Sequence, residues 1–173
     1  MKPTVKQPLF IVTGASGVGK TTLCEELFRR EKDYIVMESD IIWNDFYDTP
    51  ENNYRMFRKI WMNLCASISQ SGKPVVLCGC NTLEQMEDLE ERQLFTEIHY
   101  LAVVADDKTL LRRMREGRGI TDQGWIDSSV HFNRWLRENA DKTAPKITLL
   151  DETERTLEES VEFAQQWIMD RIK

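Results

Sequence analysis

Short apolar runs and helical repeats alternate along this chain. Leu9 to Val12 is a continuous apolar run closed by Thr13-Gly14, and it predicts a strand buried on both faces. Leu23, Cys24, Leu27 and Phe28 then recur at helical spacing to about Lys32. Tyr34 to Met37 predicts a second buried strand, ending in Glu38-Ser39-Asp40. From Ile41 to Tyr54 the pattern is aromatic but irregular, with Trp43, Phe46 and Tyr47 running into the turn signal Asp48-Thr49-Pro50. Phe57, Ile60, Trp61, Leu64, Cys65 and Ile68 share one helix face, and Gly72 is placed to cap it.

The alternation continues to the C-terminus. Pro74 to Gly79 predicts a third strand, and Thr82 with Gln85 forms a capping box for a helix carrying Leu83, Met86 and Leu89. Glu97 to Val104 is a fourth strand. Asp106 caps a helix with Leu110, Leu111 and Met114 that stops at Gly117, and a polar stretch through Gly124 reads as a flap. Trp125, Ile126, Phe132 and Leu136 mark another helix, Ile147 to Leu150 a fifth strand, and Thr156 with Glu159 a capping box for the last helix. Such alternation predicts an α/β fold, a five-stranded parallel sheet with helices on both faces, binding its ligands beyond the carboxyl ends of the strands.

Composition narrows the picture. The 173 residues, 41% of them apolar, suit one domain with one sizeable core. A net charge of -6 argues against a nucleic-acid partner, which needs clustered basic surface. The N-terminal MKPTVKQP lacks an apolar signal region, and no run reaches the roughly 18 residues of a membrane span. Cys24, Cys65, Cys78 and Cys80 sit in apolar or helical patterns away from metal-ligand spacing, so all four read as reduced thiols; Cys78-Gly79-Cys80 is too tight for an unstrained disulfide. The expectation is a soluble cytoplasmic protein, monomer or homodimer, without a membrane or nucleic-acid partner.

The stretch Gly14 to Thr22, GASGVGKTT, carries the chemistry. Gly14, Gly19, Lys20 and Thr21 match the G-x-x-x-x-G-K-[ST] phosphate loop, between a strand and a helix as that motif requires. Gly14, Gly17 and Gly19 let the backbone turn tightly, so that N–H groups from Ser16 through Val18 converge on phosphate oxygens at a helix N-terminus. Lys20 is expected on the β- and γ-phosphates, the Thr21 hydroxyl on Mg²⁺, and Thr22 at the α-phosphate. The guanine-reading N-K-x-D and the D-x-x-G of small GTPases are absent, as is an LSGGQ-like transporter signature.

GASGVGKTT, the strand-end ESD at 38–40, LLRRMREGRG at 110–119 and LLDET at 149–153 resemble the nucleoside-monophosphate-kinase-like group of P-loop kinases, near gluconate kinase, shikimate kinase and chloramphenicol phosphotransferase. ESDIIW, NNYRMFRKIW and HFNRWL resemble a bacterial group described only as nucleotide or nucleoside kinases. The resemblance implies a three-layer sandwich with sheet order 2-3-1-4-5, a helical acceptor-binding insert at about 41–72 and an arginine-bearing lid at about 117–124, all in one domain spanning 1–173. It also implies an ATP- and Mg²⁺-dependent transfer of a phosphoryl group to a hydroxyl of a small molecule. The alternatives are a nucleoside monophosphate kinase and a nucleotide-binding regulatory ATPase without an acceptor.

By the same resemblance, Asp40 takes the acceptor's proton and Arg113 and Arg118 neutralise the moving phosphoryl group, with Arg112 and Arg115 as rivals. Asp40 also suits a helix cap. Arg58 flanks the apolar face of its helix and is a candidate acceptor ligand; Arg134 could reach the acceptor from the lid side, and Asn81 could contact acceptor or metal-bound water. Trp43, Phe46, Tyr47 and Tyr54 could wall the acceptor or belong to the core. Where many relatives carry an Asp at the end of the third strand, this chain has Cys78, Cys80 and Asn81, so acidic help for Mg²⁺ falls to Glu38 or Asp40, or to water. The loop with Asp151, Glu152 and Thr153 is where the family packs adenine, and Asp151 and Thr153 are candidate nucleotide contacts.

Overall fold

A computed structural model describes residues 5–30, 33–42 and 53–172. Five strands, β1 (Leu9–Thr13), β2 (Ile35–Glu38), β3 (Val75–Cys78), β4 (Ile98–Val104) and β5 (Ile147–Asp151), form one parallel sheet in the order β2-β3-β1-β4-β5. β1 lies at the centre, with Val12 opposite both Cys78 of β3 and Leu101 of β4. Six helices connect and cover the strands: α1 (Lys20–Arg29), α2 (Arg55–Ser69), α3 (Leu83–Glu87), α4 (Asp107–Arg112), α5 (Gln123–Asn139) and α6 (Leu157–Met169).

Alternation within the strands divides the core in two. Phe10, Val12, Val76, Leu101 and Val103 face Leu23 and Leu27 of α1 and Val161, Ala164 and Ile168 of α6. Leu9, Ile11, Val75, Leu77, Tyr100 and Ala102 face Phe57, Trp61 and Cys65 of α2, Met86 of α3 and Leu136 of α5. A strand with helices on both sides must be apolar at every position, which is why β1 and β3 read as unbroken apolar runs. No helix among the described residues is long and apolar enough to cross a membrane.

The predicted caps form. Thr82 and Thr156 each accept from the backbone N–H three residues on, while Gln85 and Glu159 bond back to the cap residue. Asp106 accepts from Thr109 N at 2.7 Å. Several boundaries differ. α3 stops at Glu87, and Leu89 instead precedes a 3₁₀ turn at Glu90–Leu94. The helix expected to run to Gly117 is α-helical only to Arg112 and continues as a π-turn, Arg113–Gly117, closed by Arg118 N donating to Arg113 O at 3.1 Å. The flap expected at 117–124 shortens accordingly, because Asp122 already caps α5 through Trp125 N at 2.6 Å.

The reading of four reduced thiols is overturned: Cys24 and Cys78 form a disulfide, leaving Cys65 and Cys80 free. α1 packs over the sheet face that carries the end of β3, bringing together two cysteines 54 positions apart. Nothing in their local spacing signals this. Burial pushes the Cys65 thiol up to about 12, whereas Cys80 is exposed.

Beyond β2 a 3₁₀ turn, Ser39–Ile42, carries Asp40. Trp61 fixes this turn, its buried indole N–H donating to Ser39 O at 2.9 Å. Gly79 fixes it from the other side, since a Cβ there would overlap Ser39 Oγ and its φ of +156° disfavours a side chain. Gly79→Ala should therefore lower stability by about 1–3 kcal/mol, as overpacking does, with the loss read from a urea denaturation midpoint. Thiol titration of the protein unfolded without reductant should find two free thiols.

Candidate functional site

The carboxyl ends of the strands open onto a cleft of about 810 Å³. Its floor is the loop after β1, from which Ser16, Gly17, Gly19, Lys20, Thr21 and Thr22 all line the cavity. Gly19 enters α1 with φ +113°, a conformation that needs glycine, and a Cβ there would lie 2.5 Å from Glu152 Oε2. Lys20 curls back over the loop, its Nζ donating to Ala15 O at 2.8 Å. With no acidic residue in its first turn, α1 presents the positive end of its dipole to the cavity. Gly14 and Val18 lie behind this surface: Val18 is fully buried, and its carbonyl accepts from Arg113 at 2.6 Å. Such a floor can hold a chain of phosphate oxygens.

One wall is acidic. Glu38 ends β2 and Asp40 sits in the following turn, and both line the cleft. Burial raises the Glu38 carboxyl above its ordinary value and the nearby Asp40 charge adds to this, while Lys20 and the Ser39 and Asp40 N–H groups pull it back. Two carboxylates and the Thr21 hydroxyl thus share one cavity, a hard oxygen donor set that suits Mg²⁺ completed by phosphate and water. The described residues contain no cluster of three His, Cys, Asp or Glu side chains able to cage a metal unaided.

The opposite wall is basic and aromatic. Arg113 is tied down, with Nη1 on Val18 O, Nη2 donating to Glu152 O at 3.2 Å, and the Glu152 carboxylate 3.5 Å away. Arg118 is exposed to the cleft, its guanidinium 5.6 Å from the centroid of the Trp125 ring. Arg112 and Arg115 do not line the cavity; Arg115 donates to Gln123 Oε1 at 3.4 Å.

Five candidates stand elsewhere. Arg134 pairs with Asp107 at 2.6 Å on the exposed side of α5 and does not line the cleft. Arg58 is buried and donates to Asn53 O, bracing the start of α2. Asn81 is buried outside the cavity lining, its Nδ2 against the position a Cβ of Gly79 would take. Asp151 and Thr153 form a turn of their own, Asp151 Oδ1 accepting from Thr153 N at 2.9 Å, while Thr153 Oγ1 accepts from Asp106 N at 2.8 Å. Tyr54 adopts a left-handed conformation at the cap of α2, and Trp43, Phe46 and Tyr47 lie outside the described residues.

The cleft also gathers side chains that sequence reasoning passed over. Trp125 reads as part of the apolar face of α5, yet it is 45% exposed at the cavity, its indole N–H donating to Ser16 Oγ at 3.2 Å. α5 is held there by buried Asn133, which both donates to Ala105 O (2.7 Å) and accepts from Ala105 N (3.2 Å). Glu152 is 7% exposed beneath Gly19. Cys80, Arg155, Leu157 and Ser160 complete the lining. The strings ITDQGWID and LLDETER contain these residues, but only packing aims them inward.

A family model described as AAA domain matches residues 11–130, more than half of the chain. The chain belongs to this family of P-loop proteins. No curated protein matches its sequence. The structure of this AAA domain is similar to that of a sugar kinase from Janibacter sp. HTCC2649, with TM-score 0.63 and 17% identity over 95% of each chain. It is also similar to a gluconokinase from Sinorhizobium meliloti 1021, with TM-score 0.59 and 16% identity over 94% of this chain and 97% of that one. The chain therefore has a kinase-type P-loop fold.

The Glu38 shift sets a pH dependence. With its folded value above the ordinary 4.5, the charged carboxylate burdens the metal-free fold, and the burden grows as pH rises through the folded value. Glu38→Gln should raise the melting temperature at pH 7 in metal-free buffer, and the gain should vanish below pH about 4.5, as calorimetry can show.

Proposed function

We propose that this protein is an ATP- and Mg²⁺-dependent phosphotransferase that moves the γ-phosphoryl group to a hydroxyl of a small molecule. The observation that carries the reading is the facing arrangement in one cleft of a phosphate loop, the carboxylates of Glu38 and Asp40, and Arg118, exposed to the cleft beside the Trp125 ring. A nucleotide store or a purely structural glycine turn has no use for an exposed carboxylate opposite the loop. The similarity to a sugar kinase and a gluconokinase supports the reaction class and leaves the acceptor open.

Each side chain then has a task. The loop N–H groups and Lys20 hold the β- and γ-phosphates, and α1 stabilises their charge. Lys20 must leave Ala15 O to do so, a short rotation of a flexible stem. Thr21, with Glu38 or Asp40, would hold Mg²⁺, which supplies charge neutralisation on the phosphates when bound. Asp40 is the more exposed of the two carboxylates and orients the acceptor hydroxyl, taking its proton late, because phosphoryl transfer asks for positioning more than for a strong base. Glu38, whose burial disfavours its charge, gains most from a nearby cation and is the better metal partner. Arg118 swings from the Trp125 ring over the transferring group and offsets its charge.

Lys20→Ala should reduce ATP turnover to background. Asp40→Asn should lower acceptor-stimulated turnover by about 10²-fold, the usual contribution of a general base, while leaving nucleotide affinity nearly unchanged. The measurement is coupled ADP release against a panel of nucleosides, nucleotides, sugars and antibiotics bearing hydroxyls. Stimulation by a nucleoside monophosphate with Asp40→Asn fully active would replace this reading with phosphate-acceptor chemistry, and turnover that no small molecule stimulates would sink the kinase reading.

A further inference from the structure

Glu152 is a buried carboxylate that the proposed chemistry does not use. Its side chain is 9% exposed, and burial raises its carboxyl above the ordinary value, with Arg113 and the Ser160 hydroxyl opposing. A charge in such a place is costly unless it is paired, and the partner here is Arg113.

Three chain segments meet at this residue. Its Oε2 fills the space beneath Gly19 where any other residue's Cβ would go, so the last glycine of the phosphate loop and the glutamate are matched in shape. Its carboxylate faces Arg113 Nη1 at 3.5 Å, and its own carbonyl accepts from Arg113 Nη2 at 3.2 Å. The same guanidinium reaches Val18 O at 2.6 Å, the carbonyl just before Gly19. Arg113 also begins the π-turn that delivers Arg118, whose N–H closes the turn on Arg113 O. Arg113 therefore joins the loop that would bind phosphate to the segment after β5 through its guanidinium, and holds the end of the π-turn through its own backbone carbonyl.

We propose that Glu152 is a positioning residue for the nucleotide: it pins Arg113 against the Val18 carbonyl, and so keeps the phosphate loop in its binding geometry while Arg118 remains free for the reaction. This deepens the phosphotransferase reading and rests on it for the identity of the nucleotide. Arg113 then acts on the loop, and the direct contact with the moving phosphoryl group falls to Arg118. The sign of the effect separates this role from plain electrostatics. A carboxylate beside bound phosphates repels them, so removing its charge would tighten nucleotide binding if repulsion were all it did. If Glu152 holds the loop through Arg113, removing its charge loosens binding instead.

The test is calorimetric titration of Mg²⁺ with ATP into wild-type protein and into Glu152→Gln, Arg113→Met and the double variant. Glu152→Gln keeps the shape under Gly19 and should weaken ATP roughly tenfold, the order expected of one charge-assisted contact, with acceptor-stimulated kcat changed less than about threefold. In the Arg113→Met background the same substitution should change affinity by less than about twofold, because its effect passes through the arginine. Additive losses, tighter binding in Glu152→Gln, or a loss confined to kcat would overturn the proposal. If Glu152→Gln does not fold, Glu152→Asp, which keeps the charge but shortens its reach, is judged by the same cycle. Wild-type protein that binds no ATP would overturn the phosphotransferase reading itself, a result distinct from wild-type binding that Glu152→Gln leaves unchanged.

Discussion

The cleft of this protein depends on the close passage of the chain from β1 into α1 over the residues beneath it. At Gly19 the backbone turns with φ +113° directly above the Glu152 carboxylate, and the preceding carbonyl, on Val18, is held by Arg113. A side chain at this point would have to displace a buried carboxylate, so the loop, the end of β5 and the π-turn after α4 are constrained together. Because β1 is the central strand, with β3 and β4 on either side, the loop rests on the most buried part of the fold. Rigid support of this kind is what lets backbone N–H groups act as a preformed anion site.

Around that floor the fold distributes opposite charge. β2, the edge strand on one side, brings Glu38 and Asp40 to the cavity, with the turn after it held by Trp61 and by the absence of a side chain at Gly79. The segment between β4 and α5 brings Arg113 and Arg118 to the other side, with α5 anchored to Ala105 by Asn133. The two arginines are not equivalent. One is committed to carbonyls and a carboxylate, whereas the other rests over an exposed tryptophan ring. A cluster that looks like four interchangeable cations along the chain is thus sorted by packing into a brace, a cleft-facing group and two surface charges.

Much of this was legible along the chain because its causes are local. A capping box needs only residues three apart, so Thr82 with Gln85 and Thr156 with Glu159 were readable directly. A strand covered on both faces must be apolar throughout, which made β1 and β3 plain. The phosphate loop combines glycine, lysine and hydroxyl at fixed spacing, and Ser16, Gly17 and Gly19 through Thr22 do line the cleft. The sheet order, by contrast, followed from resemblance to a family and not from periodicity, since alternation is the same for any order of parallel strands.

What went unread depends on partners far apart in sequence. Cys24 and Cys78 meet because α1 lies over the end of β3, and each looks locally like a small core residue. Arg134 has the composition of a ligand but the placement of a surface charge, because Asp107 at the start of α4 lies within its reach. Trp125 carries the helical spacing of a core residue, yet the first turn of α5 projects past the core into the cavity. Glu152 stood in a recognised string, and only the arrival of Gly19 above it and Arg113 beside it makes its carboxylate matter. Short-range rules of spacing, capping and turn chemistry act along the chain and can be read there; which side chains share a cavity is set by how helices settle on a sheet, and that is written in contacts between residues no local pattern connects.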